Sequence, residues 1–369
     1  MLIGVPKEIK NHEYRVGMVP ASVQELTSRG HQVWVETGAG AGIGFSDDDY
    51  RAAGAGIAGT AQEIFAKAQM IIKVKEPQAS ERKQLRPGQL LFTYLHLAPD
   101  PEQTEDLLAS GATCIAYETV TSDKGGLPLL APMSEVAGRM SIQAGAACLE
   151  KSRGGQGMLL GGVPGVEAAK VVIIGGGVVG TNAARMAIGL GAQVVVLDRS
   201  VDVLRRLVAE FGTRIQTVYS SKAALEEHVL SADLVIGGVL IPGAAAPKLV
   251  TAEMVRKMKP GSAVVDVAID QGGCFETSRA TTHQEPTYMV DGVVHYCVAN
   301  MPGAVARTST LALNNATLPH ILALAELGWE KAIQRDPHLA RGLNIHAGAV
   351  TCREVAEALD KPYAPYLAA

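Results

Sequence analysis

Short apolar runs separated by helix-like stretches fill roughly the first third of the chain. Leu2–Val5, Gln32–Glu36, Met70–Lys75, Leu90–Leu95 and Ala112–Tyr117 read as strands. Between them, the spacing of apolar and polar positions in Pro20–Ser28, Ser46–Ala53, Thr60–Ala66 and Pro101–Ala109 predicts helices. Strands that alternate with helices argue for a parallel sheet covered on its faces, since parallel neighbours need a crossover. Ser134–Lys151 reads as one long helix rich in small residues, with Ser134 as its N-cap. Beyond a glycine-rich loop at 154–165 the alternation resumes. Strands are expected at Val171–Ile174, Gln193–Leu197, Gln216–Tyr219, Asp233–Val239, Ala263–Ala268 and Tyr296–Ala299. Helices are expected at Thr181–Leu190, Val201–Phe211, Lys222–Leu230 and Ala252–Met258, and a long helical pattern runs over Ala304–Leu327.

The second set opens on the most informative stretch. Val171–Ile174 runs into Gly175-Gly176-Gly177-Val178-Val179-Gly180, which fits G-x-G-x-x-G, and Asp198 stands 18 residues after the last glycine. Gly175 permits the tight strand-to-helix turn, Gly177 lets backbone N–H groups approach a pyrophosphate, and Gly180 lets helix and strand pack closely. The helix N-terminus adds partial positive charge, and Val178 and Val179 stand in the loop that leads into it. Asp198, closing the next strand, is placed to accept from a ribose 2′-hydroxyl and to repel a 2′-phosphate. NAD is therefore expected over NADP, although Arg199 beside it offers a charge that suits a phosphate. Glycines alone could serve packing; strand, turn, helix, strand and terminal acid together point to a dinucleotide. The fold expected is α/β, two doubly wound parallel-sheet (Rossmann-like) domains with a cleft between them. The residues after 305 are too few for a third domain and are expected to rejoin the first, making it discontinuous: 1–130 plus 306–369, with 131–305 as the NAD domain.

Composition narrows the function. The 369 residues are 47% hydrophobic and 19% charged, which suits two well-packed domains. A net charge of −4 leaves no basic footprint, so nucleic acid is not an expected partner. Five scattered cysteines without a CxxC read as reduced thiols, and with no signal peptide or membrane-length apolar run a soluble cytoplasmic protein is expected. No His, Cys and carboxylate cluster has metal-ligand spacing, so no metal is expected.

Ligands of open α/β sheets bind outside the carboxyl ends of the strands. Lys75 and His96 close two strands of the first set, and Asp270 follows the strand Ala263–Ala268. A strand-end lysine is often merely solvated, a histidine often structural, and an aspartate before two glycines often a turn former. Two polar groups at corresponding strand ends nonetheless point to one crevice, and a carboxylate opposite a nicotinamide suits general acid/base work. Asn300, in CVANMPG, is available to hydrogen-bond ribose or carboxamide, with Val298 and Met301 beside it and Val267 on the preceding strand.

GVPKEIKNHEYRVGMVP near the start, KVKEP around Lys75, LH at 95–96, APMSEVAGRMS at 131–141, VVIIGGGVVG and VDVAIDQGGC together resemble the alanine dehydrogenase family, essentially end to end. More distant likenesses are the NAD-binding part of proton-translocating transhydrogenase and the lysine- and saccharopine-type dehydrogenases. The resemblance implies reversible oxidative deamination of L-alanine by NAD to pyruvate, ammonium and NADH, in a homohexamer. It assigns Arg15 to the substrate carboxylate, a bidentate task suited to a planar guanidinium. It gives Lys75 the substrate's 2-oxo or amino end, and His96 and Asp270 the acid/base work, with the two left unranked. Met133, Ser134, Ser220, Val239, Leu240, Asp270 and Arg279 fall against the cofactor by the same carry-over. The family often places a basic residue near the adenosine where this chain has Val203; the charge then comes from Arg199 or Arg205, or is absent. Two other functions remain open: a transhydrogenase-like NAD subunit, or a dehydrogenase for a larger amino acid.

Overall fold

The computed structural model describes residues 1–239 and 246–366. The chain forms two compact units, Met1–Met133 with Val305–Ala369, and Ser134–Ala304. In chain order the first unit supplies β1 (Leu2–Val5), β2 (Gln32–Glu36), β3 (Gly56–Ala58), β4 (Met70–Ile72), β5 (Leu90–Thr93) and β6 (Thr113–Ala116). The second supplies β7 (Lys170–Ile174), β8 (Gln193–Asp198), β9 (Gln216–Tyr219), β10 (Leu234–Gly237), β11 (Ala263–Asp266), β12 (Thr287–Val290) and β13 (Val293–Tyr296). The chain then returns to the first unit with a helix at Ala306–Leu327, β14 (Leu343–His346) and β15 (Ala349–Val350).

The first sheet has the order β15-β14-β6-β5-β4-β1-β2-β3. β1 to β6 are parallel, and β14 and β15 add an antiparallel edge. β4, β5 and β6 are buried at every position, as strands covered on both faces must be. Leu90, Phe92 and Ile115 pack into one core and Leu91, Cys114 and Ala116 into another, so alternate side chains feed opposite faces. The order reverses between β1 and β4, and the segments leaving those two carboxyl ends carry Arg15 and Lys75.

The second sheet runs β12-β13-β11-β10-β7-β8-β9, parallel except for β12. Its reversal falls between β7 and β10, where the glycine loop leaves β7. Such switch points are where open α/β sheets take ligands.

Several predicted bounds move. Tyr296–Ala299 is not the last strand: β12 and β13 form a hairpin around Asp291 and Gly292, both at positive φ (48° and 81°). Asp-Gly is a strong turn signal of just this kind. Helix Ala131–Cys148 starts before Ser134, which is an interior residue and not its cap. The helix after the glycine loop begins at Val178, one turn earlier than expected. All five cysteines are buried free thiols.

Candidate active site

In the first unit, the segment after β1 folds Arg15 into the interior. Its Nε donates to Glu13 Oε1 at 2.7 Å and its Nη2 to Glu13 Oε2 at 2.5 Å, and the pair is almost wholly buried. Nη1 points at Met133 Sδ, 3.1 Å away. Burial alone would lower the guanidinium's pKa; the Glu13 bond and charge outweigh it and hold the group above its ordinary value.

The lysines after β4 divide their roles. The strand ends at Ile72, short of the expected Lys75. Lys73 is fully buried, its Nζ 2.9 Å from Glu8 Oε2 and 2.8 Å from Glu81 Oε1. Glu8 also accepts the Val74 and Lys75 N–H groups at 2.7 and 3.4 Å, so the buried triad fixes the backbone that carries Lys75. Burial pushes the Glu8 carboxyl above its ordinary value despite Lys73. Lys75 itself is only partly buried, and its neighbour Glu76 pairs with Lys10. Burial acts to raise Glu76, but Lys75 and Lys10 prevail and hold it low, as an anion.

His96 lies three residues past β5, exposed and at φ +50°. Its ring stacks on Tyr94 with centroids 5.8 Å apart and planes 8° from parallel. Tyr94 is fixed in turn by donating to the Leu129 carbonyl at 2.5 Å.

In the second unit the glycine loop has the geometry a pyrophosphate needs. Gly175 sits at φ +100°, which a side chain would oppose. A Cβ on Gly180 would stand 1.8 Å from the Gly175 carbonyl, whereas one on Gly177 would meet nothing within 4 Å. Space therefore opens at the N-terminus of helix Val178–Gly189, whose first-turn N–H groups have no intrahelical acceptors. Asp198 closes β8, accepting from Gly176 N and Ser200 N at 2.7 Å each, and an ionised carboxylate keeps further lone pairs for ribose hydroxyls. Ser220 joins it by donating its N–H to the Asp198 carbonyl at 2.9 Å. These residues fit NAD. A test follows: Gly177→Ala is expected to melt like the parent yet bind NADH at least about tenfold more weakly, a loss near 1.4 kcal/mol. Unchanged affinity by fluorescence titration would place the phosphates elsewhere.

Three arginines lie near the glycine loop or the end of β8. Arg205 pairs with Asp202 at 2.9 Å and Arg199 is exposed, but Arg206 donates to the Gly176 carbonyl at 2.7 Å. Val203 packs where a Cβ on Gly176 would be, 2.7 Å from its Cγ1.

Asp270 lies further past its strand than expected. β11 stops at Asp266, and Asp270 stands exposed on the short helix Val267–Gln271. What holds that helix is Asp266, which sequence reasoning passed over. Its carboxylate accepts from Ala268 N (3.1 Å), Cys274 N (2.9 Å) and Ser278 Oγ (2.6 Å). Burial raises its pKa, and those bonds oppose the rise. Gly273 is required there: at φ +77°, its Cβ would lie 2.5 Å from Asp266 Oδ2.

The remaining cofactor candidates divide. Asn300 is at φ +63° and its carbonyl meets His283 Nε2 at 3.1 Å. Arg279 lies over the Tyr288 ring, 4.0 Å from its centroid. Val239 borders Gly175, with Cγ2 3.3 Å from a Cβ placed there, and Val267 is partly buried. Met133 and Met301 are mostly covered, at 7% and 3% exposure, and Ser134 is half-buried. Val298 has no exposed surface, so its side chain is core and only its backbone suits a ligand. Leu240 lies outside the described residues.

Comparison with known proteins places this arrangement. The family models described as "Alanine dehydrogenase/PNT" match residues 4–137 with the N-terminal domain and 141–353 with the C-terminal domain. The chain belongs to the alanine dehydrogenase/PNT family. An alanine dehydrogenase of Halomonas elongata is 63% identical over 363 residues, covering 98% of both chains. That of Bacillus subtilis is 56% identical over 366 residues, covering 99% of this chain and 96% of its own. A solved L-alanine dehydrogenase superposes with TM-score 0.94 at 54% identity, over 98% of this chain and 99% of that one. A transhydrogenase from Sinorhizobium meliloti superposes with TM-score 0.82 at 29% identity, over 96% and 99%. The chain is thus an NAD-dependent oxidoreductase of this family, acting on a small molecule. Among the described residues no helix is long and apolar enough to cross a membrane.

Proposed function

We propose that this chain oxidises L-alanine with NAD, giving pyruvate, ammonium and NADH, and runs the reductive amination in reverse. The observation that carries the choice is 63% identity to an alanine dehydrogenase across 98% of both chains, against 29% for the transhydrogenase.

Arg15 binds the substrate carboxylate through Nη1, because Glu13 holds the Nε–Nη2 edge and so sets the plane of the guanidinium. Lys75 adds a second positive charge, on a backbone braced by Glu8. NAD, held by the glycine loop and Asp198, supplies the hydride acceptor when bound. Asp270 takes a proton from the substrate ammonium and releases it to solvent. After the hydride has left, it takes one from the water that adds at the iminium carbon and returns it to the nitrogen as the carbinolamine collapses to pyruvate and ammonium. His96 donates a hydrogen bond to the substrate oxygen as charge develops on it. Met133, beside Arg15, gives the substrate region an aliphatic wall that suits a methyl side chain over a longer one.

Arg15→Lys is expected to raise the KM for L-alanine by about tenfold or more, since one ammonium cannot hold both Glu13 oxygens and still present a fixed donor to the substrate. The dissociation constant for NADH should stay unchanged. A wild-type KM would remove Arg15 from the substrate site. The working form is a homohexamer in the cytoplasm, which light scattering of the purified protein checks for its size.

A further inference from the structure

We propose that Glu118 is the positioning residue for His96, fixing the backbone and hence the imidazole direction on which its role depends. The inference rests on the reading that His96 contacts substrate.

Glu118 enters just after β6, on the short helix Tyr117–Thr119. Its carboxylate is turned back on the end of the neighbouring strand. Oε1 accepts the His96 N–H at 2.6 Å, and both oxygens lie 3.2 Å from the Leu95 N–H. The other side of the same peptide is also held, with Gln103 Nε2 donating to the Leu95 carbonyl at 2.7 Å. That peptide delivers His96 at φ +50°, a conformation side chains rarely adopt and one that persists only when its surroundings impose it. A single carboxylate receiving two consecutive N–H groups imposes it here.

The ring is constrained by the same group of residues. Glu118 Oε1 lies 4.0 Å from His96 Nδ1, and the ring stacks on Tyr94. Tyr94 meets Tyr117, the residue before Glu118, edge-on at 5.0 Å. Moving Glu118 therefore releases the peptide that aims the imidazole while Tyr94 stays anchored at Leu129.

The test is a double-variant cycle. Glu118→Ala should lower kcat for L-alanine by about tenfold to a hundredfold, as expected for losing hydrogen bonds to a charged group. KM should change less, and NADH affinity should stay within about twofold. Glu118→Gln, which keeps an acceptor for the His96 N–H, should recover part of the rate and serves alone if the alanine variant does not fold. In a His96→Ala background either change should cost less than about twofold, because its target is gone. Equal losses in both backgrounds, or a wild-type kcat in Glu118→Ala, would overturn the proposal. A His96→Ala enzyme with normal turnover would remove the reading of His96 and this inference with it, whereas an impaired one with additive losses removes only this inference. If the double variant's rate falls below detection, the crystal structure of Glu118→Ala, which lacks the acceptor, decides. His96 leaving positive φ supports the proposal, and unchanged His96 geometry contradicts it.

Discussion

Asp270→Asn is expected to lower turnover with L-alanine by at least about a hundredfold, the low end for losing a general acid/base group. Asparagine keeps the size of the side chain and its place on the short helix after β11, but it takes no proton from ammonium or water. That helix is held by Asp266, not by Asp270: Asp266 binds Ala268, Cys274 and Ser278, and Asp270 is exposed. The substitution should therefore leave the melting temperature and NADH affinity near those of the parent. Steady-state rates beside an NADH titration separate the two effects. Near-normal turnover would remove Asp270 from the mechanism and leave proton transfer to His96.

The second large effect is on stability. Lys73→Met is expected to destabilise the first unit by about 3–5 kcal/mol, because removing one partner leaves buried charge uncompensated. Lys73 has no exposed surface, and Glu8 and Glu81 meet it at 2.9 and 2.8 Å with almost none of their own. The loss should depend on pH with a definite sign. Burial holds the folded-state pKa of Glu8 above its ordinary value even with Lys73 present, and removing the lysine removes its lowering influence. A raised folded-state pKa gives stability that is present below the ordinary carboxylate range and lost as pH rises through the folded value. The variant's deficit should thus be larger at about pH 8 than at about pH 5. Urea unfolding at the two values reads it directly, and a deficit independent of pH would show that both carboxylates are compensated in some other way. Because Glu8 also holds the Val74 and Lys75 N–H groups, the same variant should raise the KM for L-alanine.

Much of the architecture was legible where the pattern of apolar positions was strong. Leu2–Val5, Gln32–Glu36, Gln216–Tyr219 and helix Val201–Phe211 have the bounds that the pattern predicts. β3 and β15 escaped because two or three residues give no periodicity to read, β3 being the small-residue run Gly-Ile-Ala, and in β14 Asn344 and His346 interrupt the apolar run. The Asp291-Gly292 hairpin could have been found from its turn dipeptide.

The cofactor loop was readable because its chemistry is local: Gly175 and Gly180 each meet a constraint within their own strand–turn–helix, and Gly177 leaves the space before the helix open. The groups that orient Arg15, Lys75 and His96 were not readable. Glu13, Glu8 and Glu118 look like ordinary surface carboxylates in sequence, and only tertiary packing turns each toward a partner. Glu8 and Lys73 are 65 positions apart, and Glu118 and His96 are 22 apart. Asp266 and Asp270 show the same limit within one motif: five residues hold two aspartates, and burial alone separates the anchor from the exposed group.

The most direct test of the account is the initial rate of NADH formation at mildly alkaline pH. The assay compares L-alanine, L-serine, L-lysine and no amino acid, each with NAD and with NADP. The account predicts that L-alanine with NAD is clearly fastest, with NADP far slower because Asp198 opposes a 2′-phosphate. No signal with any amino acid, from protein that binds NADH tightly, would contradict it and point to a transhydrogenase-like NAD module with a protein partner.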